Sequence, residues 1–479
     1  MEKTLIRVRF APSPTGVMHV GNIRTALFNF LFSRKYHGQF ILRIEDTDPE
    51  RIFDKNAEKI IADLSWLHLA YDEGPHIGGS YTPYFQSKRT HLYHTMLAQL
   101  IEQQNVYRCF CSAQLLKEKR ERQIALKKPP RYDRSCTYLS SQEITHRLDA
   151  GESFIWRFKL DQERTIEIHD LARGTIIFDF AHFSDFPLTR ENGSFTFIFA
   201  NAIDDMYMKI THVLRGEDHL SNTAYQTALY HALGYTLPLF WHMPILCNRD
   251  GKKLSKRDFG FSLNDLKVDG FLPEAIVNYL GIIGASFTHE IMDLTELTNT
   301  IDFNHIHATG SIKYDVEKLR WINGKWIDRY SVKQLLDVVL PFLIEAFPQA
   351  ATIPQKILHT LVKLIQPEMT TLKDVVHLAQ FYFIAPSIDQ VQLETLINDE
   401  EHTIVTSILE KYTNELVDPN TYLKKIRHAA RHHKIPIKLI LTYLRVALTG
   451  QSSGPQLQDV MDILGPEETH NRLQAFAIL

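Results

Sequence analysis

The sequence predicts an α/β domain built on an open, mostly parallel sheet, split by an insertion and followed by an all-helical domain. A strand–loop–helix–strand pattern occupies Leu5 to Asp48. A second pattern of the same kind begins after residue 200. Beyond residue 330 the apolar residues recur at helical spacing, with little of the alternation that marks strands.

In chain order, Leu5–Phe10 sets Ile6, Val8 and Phe10 against Arg7 and Arg9, the alternation of a strand with one buried face. A Pro-, Gly- and Ser-rich turn, Ala11–Gly21, comes next. Asn22 stands where a helix N-cap is expected, and Ile23, Ala26, Leu27, Phe30 and Leu31 follow at helical spacing. Gly38 marks the expected stop, and Gln39–Ile44 returns as a strand ending in Glu45-Asp46-Thr47-Asp48. Polar residues at strand ends are the usual place for a site in such a sheet. The second pattern has a strand at Lys209–Leu214, a polar end at Arg215–His219, and a helix over Ser221–Leu233 closed by Gly234. A strand at Phe240–Cys247 then leads to Asn248–Arg257. The stretch between, 85–200, holds three of the four cysteines and the basic Lys117–Arg134, and reads as the insertion. Helices are expected over Val332–Phe347, Gln355–Ile365 and Leu372–Phe383.

At 479 residues, two to four domains are expected. With 44% hydrophobic and 23% charged residues, the composition is that of a soluble globular protein. No apolar stretch is long enough for a membrane span, and the start lacks the pattern of a secretory signal. Four cysteines in so long a chain exclude a disulfide framework, so a cytoplasmic setting is expected. The net charge of −3 decides nothing about nucleic acid, which needs a local basic face. One such run is Lys424, Lys425, Arg427, Arg431, Lys434 and Lys438, interleaved with His428, His432 and His433.

Two loops carry the chemistry. In Ala11-Pro12-Ser13-Pro14-Thr15-Gly16-Val17-Met18-His19-Val20-Gly21-Asn22 the prolines stiffen the turn, and the glycines let backbone approach a ligand. His19 and the N–H groups of the following helix start could hold a phosphate. The second loop, Gly251-Lys252-Lys253-Leu254-Ser255-Lys256-Arg257, concentrates cations able to clamp a polyphosphate. Either alone is a weak signal, but each follows a strand of what reads as one sheet.

RFAPSPTG with HVG, LRIEDTD, THVLRGEDH and KLSKR, in this order, resemble the class I aminoacyl-tRNA synthetases, specifically the bacterial-type glutamyl group. EKLRWINGKWI over 317–327 and LRVALTGQSSGP over 444–455 extend the resemblance over nearly the whole chain. It implies a Rossmann-type catalytic domain (1–84 and 201–257), an inserted acceptor-binding domain (85–200), a stem-contact region (258–329) and a helical anticodon-binding domain (330–479). The implied activity is ATP- and Mg²⁺-dependent attachment of glutamate to tRNA(Glu), by a monomer. His19, Lys253 and Lys256 are the implied catalytic residues. Ala11, Ser13, Gly21, Asp218, His219, Ile245, Leu246 and Ser255 join them in holding ATP. Glutamate falls to Arg9, Arg215, Glu45, Asn201 and Phe197, and paired guanidiniums suit a ligand with two carboxylates. Arg7 reads as a structural partner.

The chain departs from this pattern in three places. Phe197 stands where the family has a tyrosine whose hydroxyl touches the substrate, a loss of about 2 kcal/mol unless compensated. Cys109, Cys111 and Cys136 resemble a family zinc site, with Tyr132 or Tyr138 left as the fourth ligand. Gln366 occupies the position of an arginine that reads the last anticodon base, which implies that tRNA(Gln) is charged as well. A glutaminyl-tRNA synthetase, a specialised tRNA(Gln)-charging paralogue, a small-molecule adenylating ligase and a non-catalytic RNA-binding paralogue are the competing readings.

Overall fold

The computed structural model describes residues 5–14, 16–48, 54, 56–255, 257–303, 306, 310–387, 399–413 and 418–477. They form two compact units, Met1–Asp265 with Val277–Val316, and Leu266–Ile276 with Glu317–Leu479.

In the first unit, β1 (Arg7–Phe10) and β2 (Gln39–Leu42) run parallel, Arg7 opposite Gln39 and Phe10 opposite Leu42, with α1 (Val20–Lys35) as the crossover. The helix starts earlier than its sequence suggests. His19, not Asn22, is the N-cap: its imidazole Nδ1 accepts from the Asn22 backbone N–H at 3.2 Å, and Asn22 Oδ1 accepts from the His19 N–H at 3.5 Å. Asn22 therefore serves as the reciprocal partner one turn in, the place usually held by Glu or Gln. A Cβ on Gly21 would sit 3.0 Å from two atoms of that imidazole, so a glycine lets the ring fold over the helix start. At the other end the helix stops at Lys35, before Gly38, where a Cβ would lie 2.5 Å from the Ile6 carbonyl.

The chain continues through α2 (Glu58–Trp66), α3 (Thr90–Glu102), β3 (Val106–Cys109), α4 (Ala113–Ala125) and α5 (Ser141–Asp149). Next come β4 (Ile155–Phe158), β5 (Thr165–Asp170), β6 (Gly174–Asp179) and β7 (Phe186–Pro187). β3, β4 and β7 make a small antiparallel sheet. Then follow α6 (Phe197–Tyr207), β8 (His212–Gly216), α7 (Leu220–Leu233) and β9 (Leu239–Met243), with β8 and β9 parallel. The hairpin β5–β6 lies within the stretch 85–200, yet Asp170 pairs with Phe240, so β5 joins the sheet β6-β5-β9-β8. β1 meets the start of β8 where the Thr211 N–H donates to the Arg7 carbonyl at 3.0 Å. Short β10 (Leu246–Cys247) and β11 (Ile312–Lys313) close the set. Phe28 of α1 and Trp241 of β9, both buried, meet edge to face at 5.6 Å and lock helix to sheet.

The described residues of the second unit contain helices and no strands, in line with the all-helical expectation. Val332–Ala346, Gln355–Ile365 and Asp374–Phe383 fall within a few residues of their predicted places. Ser331 and Gln334 form a capping box for the first of them. On Pro419–His432 the buried stripe is Tyr422, Leu423, Ile426, Ala429 and Ala430, which leaves Lys424, Arg427, His428 and Arg431 exposed. No helix among the described residues is long and apolar enough to cross a membrane.

Candidate active site

The segments that follow β1, β2, β8 and β9 converge on a cavity of about 370 Å³. Ala11, His19, Gly21, Asp218, His219, Ile245, Leu246 and Lys253 line it, together with Arg9, Glu45, Phe197, Asn201 and Arg215. The two loops singled out in the sequence therefore face one space. Ser13 and Ser255 do not line it: Ser13 is exposed, and the Ser255 N–H and Oγ turn to Asp258 Oδ2 at 2.8 and 2.9 Å. Lys256 lies outside the described residues.

At one end, the His19 ring stacks on Phe261 with centroids 4.8 Å apart. Burial and the charge of Lys253 push its pKa below the ordinary histidine value, Asp218 opposing. The neutral ring can take or give a hydrogen bond to a phosphate without adding charge. Lys253 reaches Asp218 at 3.0 Å across the same end.

The other end is a buried charge network. Arg9 Nε donates to both oxygens of Asp205 at 3.2 Å, and Arg43 Nη1 donates to Asp205 Oδ1 at 2.6 Å. Arg43 Nη2 reaches Glu45 at 3.2 Å, and Asn201 Nδ2 donates to the same Glu45 oxygen at 2.5 Å. Burial pushes the Glu45 carboxyl up, while Arg43, Asn201 and Arg9 draw it back. Arg215 gives Nη2 to Thr223 and Gln226, each at 2.7 Å, and its Nε and Nη1 are buried with no partner among the described residues. Burial, then the like charge of Arg9, pull Arg215 down to about 9. An anion placed here relieves both penalties. Arg7 stays out of the cavity, held by Glu73 at 2.7 and 3.1 Å. Asp204 does not face it either: it takes Arg89 at 2.6 Å and the hydroxyl of Tyr93 at 2.8 Å.

Phe197 sits at the start of α6 with its ring 5.4 Å from that of His219. Burial and Arg215 push His219 down to about 4, so its imidazole is neutral. Asn222 Nδ2 faces His219 Nδ1 at 3.1 Å; donation from the amide leaves the ring proton on Nε2. Sequence reasoning did not assign Asp205, Arg43, Thr223 or Gln226. The adjacent acids Asp204 and Asp205 within the apolar run of α6 were the available signal.

Elsewhere in this unit, Cys111 and Cys136 sulfurs are 3.6 Å apart, and Cys109, Cys111 and Cys136 all lie within 4.8 Å of one another. The Tyr132 hydroxyl is 3.3 Å from Cys109 Sγ and 3.9 Å from Cys111 Sγ, whereas Tyr138 is 83% exposed. Tyr132 is therefore the tyrosine that joins the thiols. In the second unit, Gln366 donates its amide to the carbonyls of Ile327 and Tyr330, both at 2.9 Å.

The family model for the catalytic domain of tRNA synthetases class I (E and Q) matches residues 5–321, and an anticodon-binding-domain model matches 334–477. Glutamate–tRNA ligase 1 of Fervidobacterium nodosum is 38% identical over 475 residues, 98% of this chain and 99% of that one. Glutamate–tRNA ligase 2 of Caldicellulosiruptor saccharolyticus is 35% identical over 474 residues, 98% of each chain. The crystal structure of a glutamate tRNA ligase from Elizabethkingia meningosepticum in complex with its amino acid superposes with a TM-score of 0.86 at 30% identity, covering 99% of both chains. From the first strand through the helical domain, the chain belongs to the tRNA synthetases of class I (E and Q).

Proposed function

We propose that the chain is a glutamate–tRNA ligase, which forms a glutamyl adenylate from ATP and then esterifies tRNA(Glu). The observation that carries the substrate is charge: in the buried network at and behind the amino-acid end, the four cations Arg9, Arg43, Arg89 and Arg215 stand against the three anions Asp204, Asp205 and Glu45. That surplus of one positive charge matches glutamate, which carries one net negative charge, and leaves glutamine without a counterpart. Arg9 and Arg215 take carboxylates, and Glu45 faces the ammonium.

ATP lies along the other end, against His19, Gly21, Ile245 and Leu246. As the glutamate carboxylate attacks the α-phosphorus, charge builds on the equatorial and leaving oxygens, and Lys253 meets it. Lys256 shares that role in this reading. Mg²⁺ arriving with the triphosphate would add positive charge to what Lys253 supplies. No side-chain nucleophile is needed, because the carboxylate is the nucleophile and pyrophosphate leaves. In the second step a ribose hydroxyl of the tRNA terminus attacks the adenylate carbonyl and AMP leaves, a step served by positioning. The domain roles of 85–200 (acceptor), 258–329 (stem) and 330–479 (anticodon) belong to the same proposal, as does a cytoplasmic monomer.

The cysteine cluster fits zinc. Tetrahedral zinc with bonds near 2.3 Å sets sulfurs about 3.8 Å apart, close to the spacing of Cys111 and Cys136, and Tyr132 supplies an oxygen. Its place would be structural, bracing Cys109 at the end of β3 against the segment around Cys136.

Charging of tRNA(Gln) as well is favoured by Gln366. With its amide nitrogen spent on two backbone carbonyls, the side chain offers a fixed acceptor, and more than one base can donate to it.

Isotope exchange between ATP and pyrophosphate, with glutamate and tRNA present, tests the main reading. Exchange that requires glutamate supports it, and exchange supported by glutamine instead would overturn it. Comparing charging of tRNA(Gln) by the native chain and by Gln366→Arg tests the second: charging lost in the variant supports it, and no charging by the native chain refutes it.

A further inference from the structure

A buried hydrogen-bond chain behind the cavity ends on Arg215. Asp170, the last residue of β5, accepts at Oδ2 from the His242 backbone N–H at 3.0 Å and from His242 Nδ1 at 2.7 Å. Its other oxygen accepts from the N–H groups of Ala172 and Arg173, both at 2.9 Å. Across the ring, His242 Nε2 lies 2.8 Å from Thr223 Oγ1, and that hydroxyl lies 2.7 Å from Arg215 Nη2. Asp170, His242 and Thr223 are each 0% exposed.

The direction of each bond follows from chemistry. A guanidinium only donates, so Thr223 Oγ1 accepts from Arg215. An ionised carboxylate only accepts, so the His242 proton sits on Nδ1 and Nε2 is an acceptor; at 2.8 Å it is nearer to the Thr223 hydroxyl than that group's other acceptor, the His219 carbonyl at 3.3 Å. Burial holds this imidazole below the ordinary histidine pKa, Asp170 opposing, and the hydrogen bond from His242 holds Asp170 low against its own burial. The order Asp–His–Thr looks like a nucleophile relay, but Thr223 is sealed from the cavity lining and its hydroxyl is already committed on both sides. What the chain does instead is fix one guanidinium nitrogen, with Gln226 as the second anchor, while Nε and Nη1 stay unpaired.

We propose that Asp170 and His242 are positioning residues for glutamate, acting through Thr223 to hold Arg215 with its unpaired nitrogens ready for a substrate carboxylate. This rests on the glutamate reading above. It also makes a residue of β5, from inside the stretch 85–200, part of the support of the amino-acid pocket.

The test compares Thr223→Val, which keeps the shape and removes the hydroxyl, with Thr223→Ser, which keeps the hydroxyl. Asp170→Asn, which replaces one acceptor oxygen by a donor, probes the far end. The readout is glutamate- and tRNA-dependent ATP–pyrophosphate exchange, with KM for glutamate and for ATP measured separately. Thr223→Val and Asp170→Asn are expected to raise KM for glutamate about tenfold or more and to leave KM for ATP within about twofold, and Thr223→Ser to stay near the native values. An unchanged glutamate KM in Thr223→Val, or equal loss toward both substrates, would overturn the role. A native protein that exchanges without glutamate would overturn the glutamate reading itself, and this role with it.

Discussion

Lys253 Nζ lies 3.0 Å from Asp218 Oδ2, so a cation of the GKKLSKR loop is tethered to the segment that follows β8. Burial acts against the Asp218 charge, but the hydrogen bond and the charge of Lys253 keep its pKa below the usual carboxylate range. Both side chains are about half exposed, and such a pair is worth at most about 1 kcal/mol. An incoming triphosphate can therefore take the lysine from its partner at small cost. Lys253→Ala is expected to lower kcat for ATP–pyrophosphate exchange at least about a hundredfold, with KM for glutamate changed less than about threefold. Asp218→Asn should cost less than about tenfold. A Lys253→Ala protein defective only in glutamate binding would contradict the assignment.

Phe197 brings an aromatic edge to the pocket where a hydroxyl is expected, and the neutral His219 beside it carries a ring proton on Nε2. If that proton does not already serve the substrate, Phe197→Tyr supplies a hydrogen bond to a charged ligand worth about 2 kcal/mol. Titration calorimetry with glutamate should then show affinity improved about tenfold or more. Unchanged affinity in Phe197→Tyr, together with a loss in His219→Phe, would assign the donor to His219 instead.

The loops and pocket ends were legible because backbone chemistry repeats locally. Glycines at turns and cations after a strand write themselves into short windows, and the alternation at Ile6–Phe10 marked a strand; its expected open face is in fact closed, because β1 is buried on both faces with Arg7 and Arg9 paired to Glu73 and Asp205. What stayed hidden depends on residues far apart in the chain. Asp205 matters because Arg9 and Arg43, 196 and 162 positions away, both need its charge. Asp170 and His242, 72 positions apart, meet only because β5 joins β9. Tyr132 and Tyr138 were equivalent by spacing, and the short turn of 3₁₀ helix over Ser135–Tyr138 separates them by carrying the second outward. His19 at the helix N-cap was missed because a ring nitrogen rarely takes a place that Ser, Thr, Asp or Asn usually hold.

That separation has a measurable consequence for metal binding. Hydrogen bonds from Cys109 and Tyr132 draw the Cys136 thiol down to about 6, so a thiolate is available near neutral pH. The protein should bind one equivalent of zinc in competition with a chromophoric chelator. Cys136→Ser should abolish binding, Tyr132→Phe should weaken it about tenfold or more, and Tyr138→Phe should leave it unchanged. Equal effects of the two tyrosine variants would remove Tyr132 from the site.

The buried histidines set how stability depends on pH. His19, His212, His219, His231 and His242 all have folded-state pKa values below 6.5, each with burial as the first cause. Between 6.5 and those lower values the unfolded chain binds more protons than the folded one, so folding free energy is fully present above 6.5 and is lost as pH falls. For His219, with a folded value of about 4, the loss by pH 5 is about 2 kcal/mol at most. Asp170 and Asp205, whose values are lowered, keep their contribution until pH drops below about 4, so they add no slope here. Glu45 is raised and acts in the opposite sense, one group against five. The urea midpoint should therefore rise from pH 5 to pH 7, and His219→Asn, which cannot titrate, should flatten that rise. A midpoint higher at pH 5 than at pH 7 would mean that these imidazoles hold protons in the folded state, and the neutral pocket argued for His19 and His219 would not stand.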